Sequence, residues 1–140
     1  MTEVKNMAGH LIRRLHQIST QCFARRMQEA GHDLTPVQFA ALDAIAAQPD
    51  TDQAGIAAQI GYDKATIGGV IDRLEQKRLV IRHPSPHDRR ARLVQPTDAG
   101  RAGLAELHPI VRDLQEDILA PLTPEERATF VALAAKALGA

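Results

Sequence analysis

Residues 63–96 read D-K-A-T-I-G-G-V-I-D-R-L-E-Q-K-R-L-V-I-R-H-P-S-P-H-D-R-R-A-R-L-V-Q-P. The first half of this stretch has the period of a helix. Apolar residues recur there at i, i+3, i+4 and i+7, and they are Ile67, Val70, Ile71 and Leu74. Such spacing places them on one face of a helix. The other faces carry Lys64, Thr66, Gly68, Gly69 and Arg73. The stretch therefore predicts a short amphipathic helix that begins at Lys64.

The second half of the stretch changes to the period of a β-strand. Residues 79–82 alternate between two faces, and residues 92–95 can pair back as a second strand. Proline, serine and histidine at 84–87 favour a turn between the strands. The turn leads into charged residues, namely Asp88, Arg89, Arg90 and Arg92. A helix small enough for a major groove, followed by an arginine-tipped hairpin, is typical of a winged helix-turn-helix.

Positive charge is concentrated in the same segment. From Lys64 to Arg92 there are eight lysines and arginines and three acids, a net +5, whereas the residues before carry −2 and those after carry −3. A local positive field on a neutral chain indicates a docking face for phosphates. The alternative interpretation is a solvated amphipathic helix beside a charged loop, but it does not explain why helix and hairpin are both basic.

Composition excludes several classes of protein. The chain has 140 residues, the size of one domain, and no apolar run long enough for a membrane span or a signal peptide. The single cysteine, Cys22, fits a reducing cytoplasm. The low aromatic content disfavours a protein that binds single strands by base stacking. Because no catalytic motif and no clustered metal ligands occur, we expect a cytoplasmic protein that is not an enzyme and needs no metal or cofactor.

Local start signals organise the rest of the chain. Residues 35–38 (T-P-V-Q) and 123–126 (T-P-E-E) are capping boxes with proline at the first helical position, so helices should begin near 36 and 124. Asp50-Thr51-Asp52 should open a short helix that Gly61 closes, two residues before the Lys64 helix. Short helix, glycine turn and second helix form a helix-turn-helix.

The two ends of the chain carry apolar seams. They lie on a helix from about 4 to 30, on a helix that Thr97 starts and Pro109 is expected to kink, and on a C-terminal helix. Their members are Leu11, Leu15, Ile18 and Cys22; Leu104, Leu107, Val111, Leu114 and Ile118; and Phe130, Leu133, Ala134, Ala137 and Leu138. A period of about 3.5 residues indicates helix–helix packing. Intramolecular packing is one interpretation, but three seams exceed what one small core needs, so we favour a dimer.

Together these residues resemble the MarR family of bacterial transcriptional regulators. The matching blocks, in order, are L-T-P-V-Q-F at 34–39, I-A-A-Q-I-G at 56–61, D-K-A-T-I at 63–67, I-D-R-L-E-Q-K-R-L-V-I-R at 71–82, D-R-R at 88–90 and P-T-D-A-G-R at 96–101. The resemblance covers almost the whole chain. It implies a mostly α-helical fold with a small two-stranded β wing, a DNA-binding lobe at 34–97, and dimerisation helices at 1–33 and 98–140.

The resemblance also implies a homodimeric repressor that binds double-stranded DNA at a pseudo-palindromic operator. The Lys64 helix would lie in the major groove and Arg90 in the flanking minor groove, where a guanidinium suits the negative potential. The expected DNA-binding residues are Lys64, Thr66, Gly68, Gly69, Arg73, Arg89, Arg90 and Arg92. Asp88 would orient a wing arginine or pair with Arg73, or serve only as a turn residue. Many relatives carry Thr-Arg at 68–69, so specificity should depend on Lys64, Thr66 and the wing.

The first helix resembles that of the members that respond to aromatic acids. Relatives of this kind release DNA when a small aromatic carboxylate binds between the dimerisation helices and the DNA-binding lobe. In G-H-L-I-R-R-L at 9–15, Arg13 is the expected clamp for the carboxylate and Arg14 the second candidate. His10 and His16 would hydrogen-bond the ligand. The alternative is that these residues only coat a surface helix.

Two other functions remain open. Another branch of the family senses peroxide through a first-helix cysteine, and Arg25 and Arg26 lie close to Cys22 in the sequence. However, that branch has its cysteine further upstream and uses tyrosine partners, so a buried, inert thiol is the favoured interpretation. A winged helix that binds proteins and has lost DNA contact is the second alternative, suggested by the two glycines at 68–69.

Overall fold

The computed structural model describes residues 3–140. Its elements are a short 3₁₀-helix Glu3–Asn6, α1 (Ala8–Glu29), α2 (Pro36–Ala47), β1 (Thr51–Asp52), α3 (Gln53–Ile60), α4 (Lys64–Gln76), β2 (Val80–Pro84), β3 (Arg92–Pro96), α5 (Asp98–Ile118) and α6 (Pro124–Ala137). No helix within residues 3–140 is both long and apolar enough to cross a membrane.

Side-chain caps start the helices where the sequence predicts. Both capping boxes form: Thr35 Oγ1 accepts from Gln38 N at 3.2 Å, and Thr123 Oγ1 accepts from Glu126 N at 3.2 Å. Gly61, with a φ of +72°, ends α3 in the left-handed conformation that favours glycine. The prediction of one helix from about 4 to 30 was wrong at its start, because a 3₁₀-helix precedes α1 and Met7 caps α1 with no side-chain acceptor.

The wing is part of a three-stranded antiparallel sheet of order β1-β3-β2. The predicted hairpin is confirmed, with Val80 opposite Pro96 and Pro84 opposite Arg92. The structure extends the predicted two-stranded wing by a third strand, since β1 pairs with the other edge of β3. A strand of two residues has no periodicity to detect, and its partner lies about forty residues away in the sequence.

The core lies where α2, α3, α4 and the wing meet the middle of α5. All members of the predicted inner face of α4 are buried, namely Ile67, Val70, Ile71 and Leu74. Val80 and Val94 bury the inner face of the wing, whereas Ile81 is 50% exposed. The helix α4 and the wing therefore share one hydrophobic core, which fixes their relative position.

The terminal helices divide their apolar residues between the core and solvent. Leu104, Leu107 and Leu114 on α5 are buried within this chain, where α1 packs on α5, so that seam is used internally. Arg26 on α1 braces the contact by ion pairs to Asp113 at 2.8 Å and Asp117 at 3.1 Å. The helix α5 continues without interruption through Pro109.

By contrast, α6 has no buried residue in the described chain. Large apolar side chains remain exposed on α1 and α6, among them Leu11, Ile12, Ile18, Phe130, Val131, Leu133 and Leu138. Isolated exposed apolar residues are common on protein surfaces. Here Ile12, Phe130, Leu133 and Leu138 line one groove, and apolar surface gathered in this way is typical of an interaction face.

Candidate nucleic-acid interface and effector site

The recognition helix α4 begins at a tight cap. Asp63 Oδ1 accepts from Thr66 N and from Thr66 Oγ1, both at 2.7 Å. The hydrogen bond from the Thr66 hydroxyl, followed by those from the backbone, lowers the pKa of Asp63 below its ordinary value. Because the Thr66 hydroxyl proton is committed to Asp63, the oxygen of Thr66 is left to act as an acceptor.

Exposed cations lie on α4 and around the tip of the wing. They are Lys64, Arg73, Arg89, Arg90 and Arg92, and all five are exposed. Within residues 3–140 none of them takes part in a salt bridge. This part of the surface therefore keeps its positive charge available for phosphates.

Two other cations of the basic segment 64–92 form contacts within the protein. The guanidinium of Arg82 on β2 donates to Asp72, to Glu75 Oε1 at 3.2 Å and to Gln53 Oε1 at 2.8 Å. Burial alone would lower the pKa of Arg82, but the hydrogen bonds to Asp72 and Glu75 raise it. Arg82 thus ties the wing to α3 and α4. Lys77 is the second such cation, with Asp33 and Gln38 as its partners.

Packing within residues 3–140 does not require the two glycines of α4. A Cβ at Gly68 would meet only Gln53 Nε2 at 3.8 Å, and a Cβ at Gly69 would meet nothing within 4 Å. Either the backbone of α4 approaches a binding partner closely at Gly68 and Gly69, or the two glycines are tolerated although each destabilises the helix by about 1 kcal/mol relative to alanine.

Asp88 acts on the backbone of the wing turn. Its Oδ1 accepts from Arg90 N at 2.9 Å, and its carbonyl oxygen accepts from Ala91 N at 3.0 Å. The hydroxyl of Ser85 accepts from Asp88 N at 3.3 Å on the opposite side of the turn. No salt bridge joins Asp88 to Arg73 within residues 3–140. These contacts place Asp88 as a turn residue that holds the backbone of Arg90.

The candidate effector residues lie on the N-terminal half of α1. Arg13 Nη2 and His10 Nδ1 are 3.3 Å apart, and Arg13, Arg14 and His16 are exposed. His10 and Arg14, together with Lys5, line an open groove of about 590 Å³ whose apolar residues are Val4 and Leu11. Arg14, the second candidate, therefore lines a basic groove, whereas Arg13 and His16 do not.

A second cavity of about 470 Å³ lies further along α1; we call it the α1 cavity. Its lining includes the apolar side chains of Phe23 and Met27, which we call its wall, and residues 32–36, which we call its rim. Arg13, His16 and Thr20 share the face of α1 that leads to this wall, because they precede Phe23 and Met27 at helical spacing. Arg13 stands about two turns, or roughly 10 Å, before Thr20. The sequence carried no signal for this cavity, since its rim comes from the segment between α1 and α2.

Cys22 is buried, with 7% of its surface exposed. Burial limits access of an oxidant to the thiol and agrees with a packing role. Within residues 3–140, no three histidine, cysteine or acidic side chains come together in a group that could hold a metal ion.

A capped recognition helix, a second helix across a glycine turn, and an arginine-tipped hairpin on one core define a winged helix-turn-helix protein. The chain belongs to the MarR family: the model of that family matches residues 32–91. The HTH-type transcriptional repressor NicR of Pseudomonas putida is 33% identical over 134 residues, which are 96% of this chain and 84% of NicR. The protein is thus a MarR-type transcriptional regulator.

Solved structures agree with this assignment over the full length. BpsR of Bordetella bronchiseptica, whose DNA binding is regulated by 6-hydroxynicotinic acid, is 31% identical with a TM-score of 0.89, covering 100% of this chain and 99% of BpsR. The transcriptional repressor CouR, solved on a 23-mer DNA duplex, is 29% identical with a TM-score of 0.87, covering 99% of this chain and 96% of CouR.

Proposed function

We propose that the protein is a homodimeric, sequence-specific repressor that a small aromatic carboxylate releases from a pseudo-palindromic operator. The observation that carries the DNA-binding part is the set of exposed cations on α4 and the wing that form no salt bridge within residues 3–140, namely Lys64, Arg73, Arg89, Arg90 and Arg92. Cations held on one rigid lobe can follow a duplex backbone, and phosphate contacts of this kind dominate affinity.

Sequence would be read by α4 and by the wing together. Lys64 and Thr66 lie on the first turn of α4, where recognition helices reach base edges in the major groove. Arg90 lies at the tip of the hairpin, where it would enter a narrow minor groove. CouR on its duplex supports this assignment by similarity.

A second copy of the chain would cover the apolar faces of α1 and α6. A groove of about 560 Å³ opens between these helices, lined by Ile12, Leu15, Phe130, Leu133, Ala134, Ala137 and Leu138. Within residues 3–140 of one subunit, no residue of α6 is fully buried. Two-fold pairing suits a palindromic operator because each subunit then reads one half-site.

The proposed class of effector is supported by the basic residues of α1 and by the similarity to BpsR. Arg13 can bind a carboxylate bidentately, with Arg14 as the second candidate and His10 and His16 as polar partners. The α1 cavity offers an apolar wall for a ring. Since Arg13 does not line that cavity within one subunit, we place the carboxylate at the subunit boundary. BpsR, which responds to 6-hydroxynicotinic acid, supports this class of effector.

Selection of duplexes from a random library, followed by a salt titration of the best duplex, tests the DNA-binding part. We expect a selected palindromic duplex whose log affinity falls steeply and linearly with log salt, by about 0.9 per phosphate contact. Binding that shows neither selection nor a salt slope would contradict this function and favour the protein-binding alternative.

Arg13→Ala tests the effector site. A lost hydrogen bond to a charged group costs about 1.5–3 kcal/mol, or tenfold or more in ligand affinity. Because Arg13 lies outside the DNA-binding lobe, operator affinity should stay close to that of the parent, while 6-hydroxynicotinic acid should no longer release the duplex. Calorimetry with this acid and with 4-hydroxybenzoate measures the loss.

Arg14→Ala serves as the matched control, with the same charge removed one residue away. Unchanged ligand affinity in Arg13→Ala and a loss in Arg14→Ala would move the clamp to the basic groove of His10 and Lys5. If neither acid binds the parent, the aromatic-acid part is wrong, and peroxide treatment with and without Cys22→Ser would test the thiol switch. The burial of Cys22 gives that alternative no support.

A further inference from the structure

The segment His32–Thr35, between α1 and α2, lies where the α1 cavity, the recognition helix and α5 meet. It forms the rim of the cavity. Its His32 Nε2 lies 3.3 Å from Glu106 Oε1 on α5. Its Asp33 contacts the C-terminal end of α4. The rim is therefore in direct contact with α4, the helix that would read DNA.

Lys77, the C-cap residue of α4, makes the contact with the rim. Its ammonium donates to Gln38 Oε1 at 2.9 Å and to Asp33 O at 3.2 Å, and lies 3.2 Å from Asp33 Oδ1. An ammonium has three protons, so these three oxygens use all of its donors. Gln38 is buried, and its Oε1 also accepts from Thr35 N at 3.3 Å. The end of α4 is thus held by atoms of the rim and by the capping box of α2.

We propose that Lys77 is the positioning residue through which occupation of the α1 cavity is transmitted to the recognition helix. The inference rests on the proposed function above. A molecule in the cavity displaces the rim, and because Asp33 belongs to the rim, its carbonyl and carboxylate oxygens move relative to the ammonium of Lys77. The end of α4 then loses its anchor, and operator affinity falls.

The length of α4 makes such a displacement effective. The helix has 13 residues, and at 1.5 Å per residue it spans about 20 Å. Over that length a tilt of about 5° at Lys77 moves the opposite end, with Lys64 and Thr66, by more than about 1 Å. Contacts to base edges depend on hydrogen-bond geometry and do not tolerate displacements of this size.

A cavity-filling substitution tests the proposal without a ligand. Ala24 is exposed and lines the cavity, so Ala24→Trp places a ring where a ligand would lie. The affinity for the selected duplex is measured for the parent, Ala24→Trp, Lys77→Met and the double variant. We expect Ala24→Trp to weaken binding about fivefold or more in the parent background and less than about twofold in the Lys77→Met background.

The ratio of affinities with and without the tryptophan is the decisive quantity, because any general effect of Lys77→Met cancels in it. Arg78→Met is the matched control: it removes an exposed positive charge one residue away, and the effect of Ala24→Trp should persist in its background. Ala102→Trp, at an exposed position of α5, adds the same ring outside the cavity and should leave affinity unchanged. If Lys77→Met does not fold, Asp33→Ala takes its place, because it removes the exposed carboxylate that pairs with Lys77.

Equal weakening by Ala24→Trp in the parent and Lys77→Met backgrounds would overturn the role of Lys77. No weakening in either background would overturn the coupling of the cavity to DNA. If the parent selects no duplex at all, the proposed function itself fails, which is a different result from a failed coupling.

Discussion

At the scale of single residues, Gly100 is where α5 contacts the backbone between α4 and β2. A Cβ at this position would lie 2.1 Å from the carbonyl oxygen of Leu79 and 3.1 Å from its carbon. The same carbonyl accepts from Thr97 N at 3.0 Å, and Gly100 N donates to the capping hydroxyl of Thr97, also at 3.0 Å. The first turn of α5 is therefore packed against backbone, which cannot move aside as a flexible side chain can.

Gly100→Ala should destabilise the protein by about 1–3 kcal/mol or more, because the added methyl group overpacks a site bounded by backbone. Gly103→Ala is the matched control in the same helix, where a Cβ would meet nothing within 4 Å. That change should stabilise the protein by up to about 1 kcal/mol through helix propensity. Urea unfolding of both variants compares them, and equal stability would show that α5 can shift to admit the methyl group.

Asp63 should make stability depend on pH in the acidic range. Its pKa is lowered below the ordinary 3.8 in the folded protein by the Thr66 hydroxyl and by backbone hydrogen bonds. A carboxyl with a lowered folded pKa stabilises the protein above its unfolded pKa, and this stabilisation is lost as the pH falls through the folded value.

The stability difference between the parent and Asp63→Ala should therefore be full above about pH 4.5 and shrink as the pH falls through the lowered pKa. Thermal unfolding between pH 3 and 7 measures this difference, and an NMR titration of the Asp63 carboxyl carbon measures the pKa directly. A difference independent of pH would mean that the cap acts without its charge.

At the scale of elements, α4 and the wing form one unit. They share the core through Val80 and Val94, and Arg82 joins β2 to Asp72 and Glu75 of α4. The hairpin therefore presents its exposed tip from a fixed base, so a change at the tip should affect binding and leave folding intact.

Arg90→Ala should weaken binding of the selected duplex by about 1–3 kcal/mol at matched salt, the range for a specific groove contact. Its thermal unfolding should match that of the parent, because the side chain is exposed. Arg101→Ala removes an exposed arginine from α5 and should change affinity little. If Arg90→Ala binds as tightly as the parent, the wing does not take part in recognition.

At the scale of the whole molecule, the ends of the chain leave apolar surface that one subunit does not cover. Phe130, Leu133 and Leu138 are 37%, 60% and 88% exposed, while the central lobe is well packed. The proposed dimer would bury these side chains and set the distance between two recognition helices.

Deletion of residues 124–140 should give a monomer or an aggregate that no longer binds the operator, because the pairing surface of α6 is removed. Leu133→Asp tests the same surface with a single charge, and Ala132→Asp, on the opposite face of α6, should leave the oligomeric state unchanged. Sedimentation velocity compares the variants. A truncated protein that remains a tight dimer would place the interface elsewhere.

The sequence by itself determined the features that depend on neighbours in the chain. Thr35 and Thr123 start helices because a capping box closes within four residues, and the buried face of α4 follows from the helical period. The family blocks also depend on local order, and they led to the correct fold class. None of these inferences depends on which distant segments of the chain come into contact.

Only the tertiary structure decided which charges remain available and where cavities lie. Lys77 and Arg82 have the same charge as Lys64 and Arg90, yet Lys77 meets Asp33 from 44 residues away, and Arg82 meets Gln53 across 29. The strand β1 exists only because β3 returns beside it. Such pairings depend on how whole helices and strands pack on the core. The local periodicity of the sequence therefore cannot predict them.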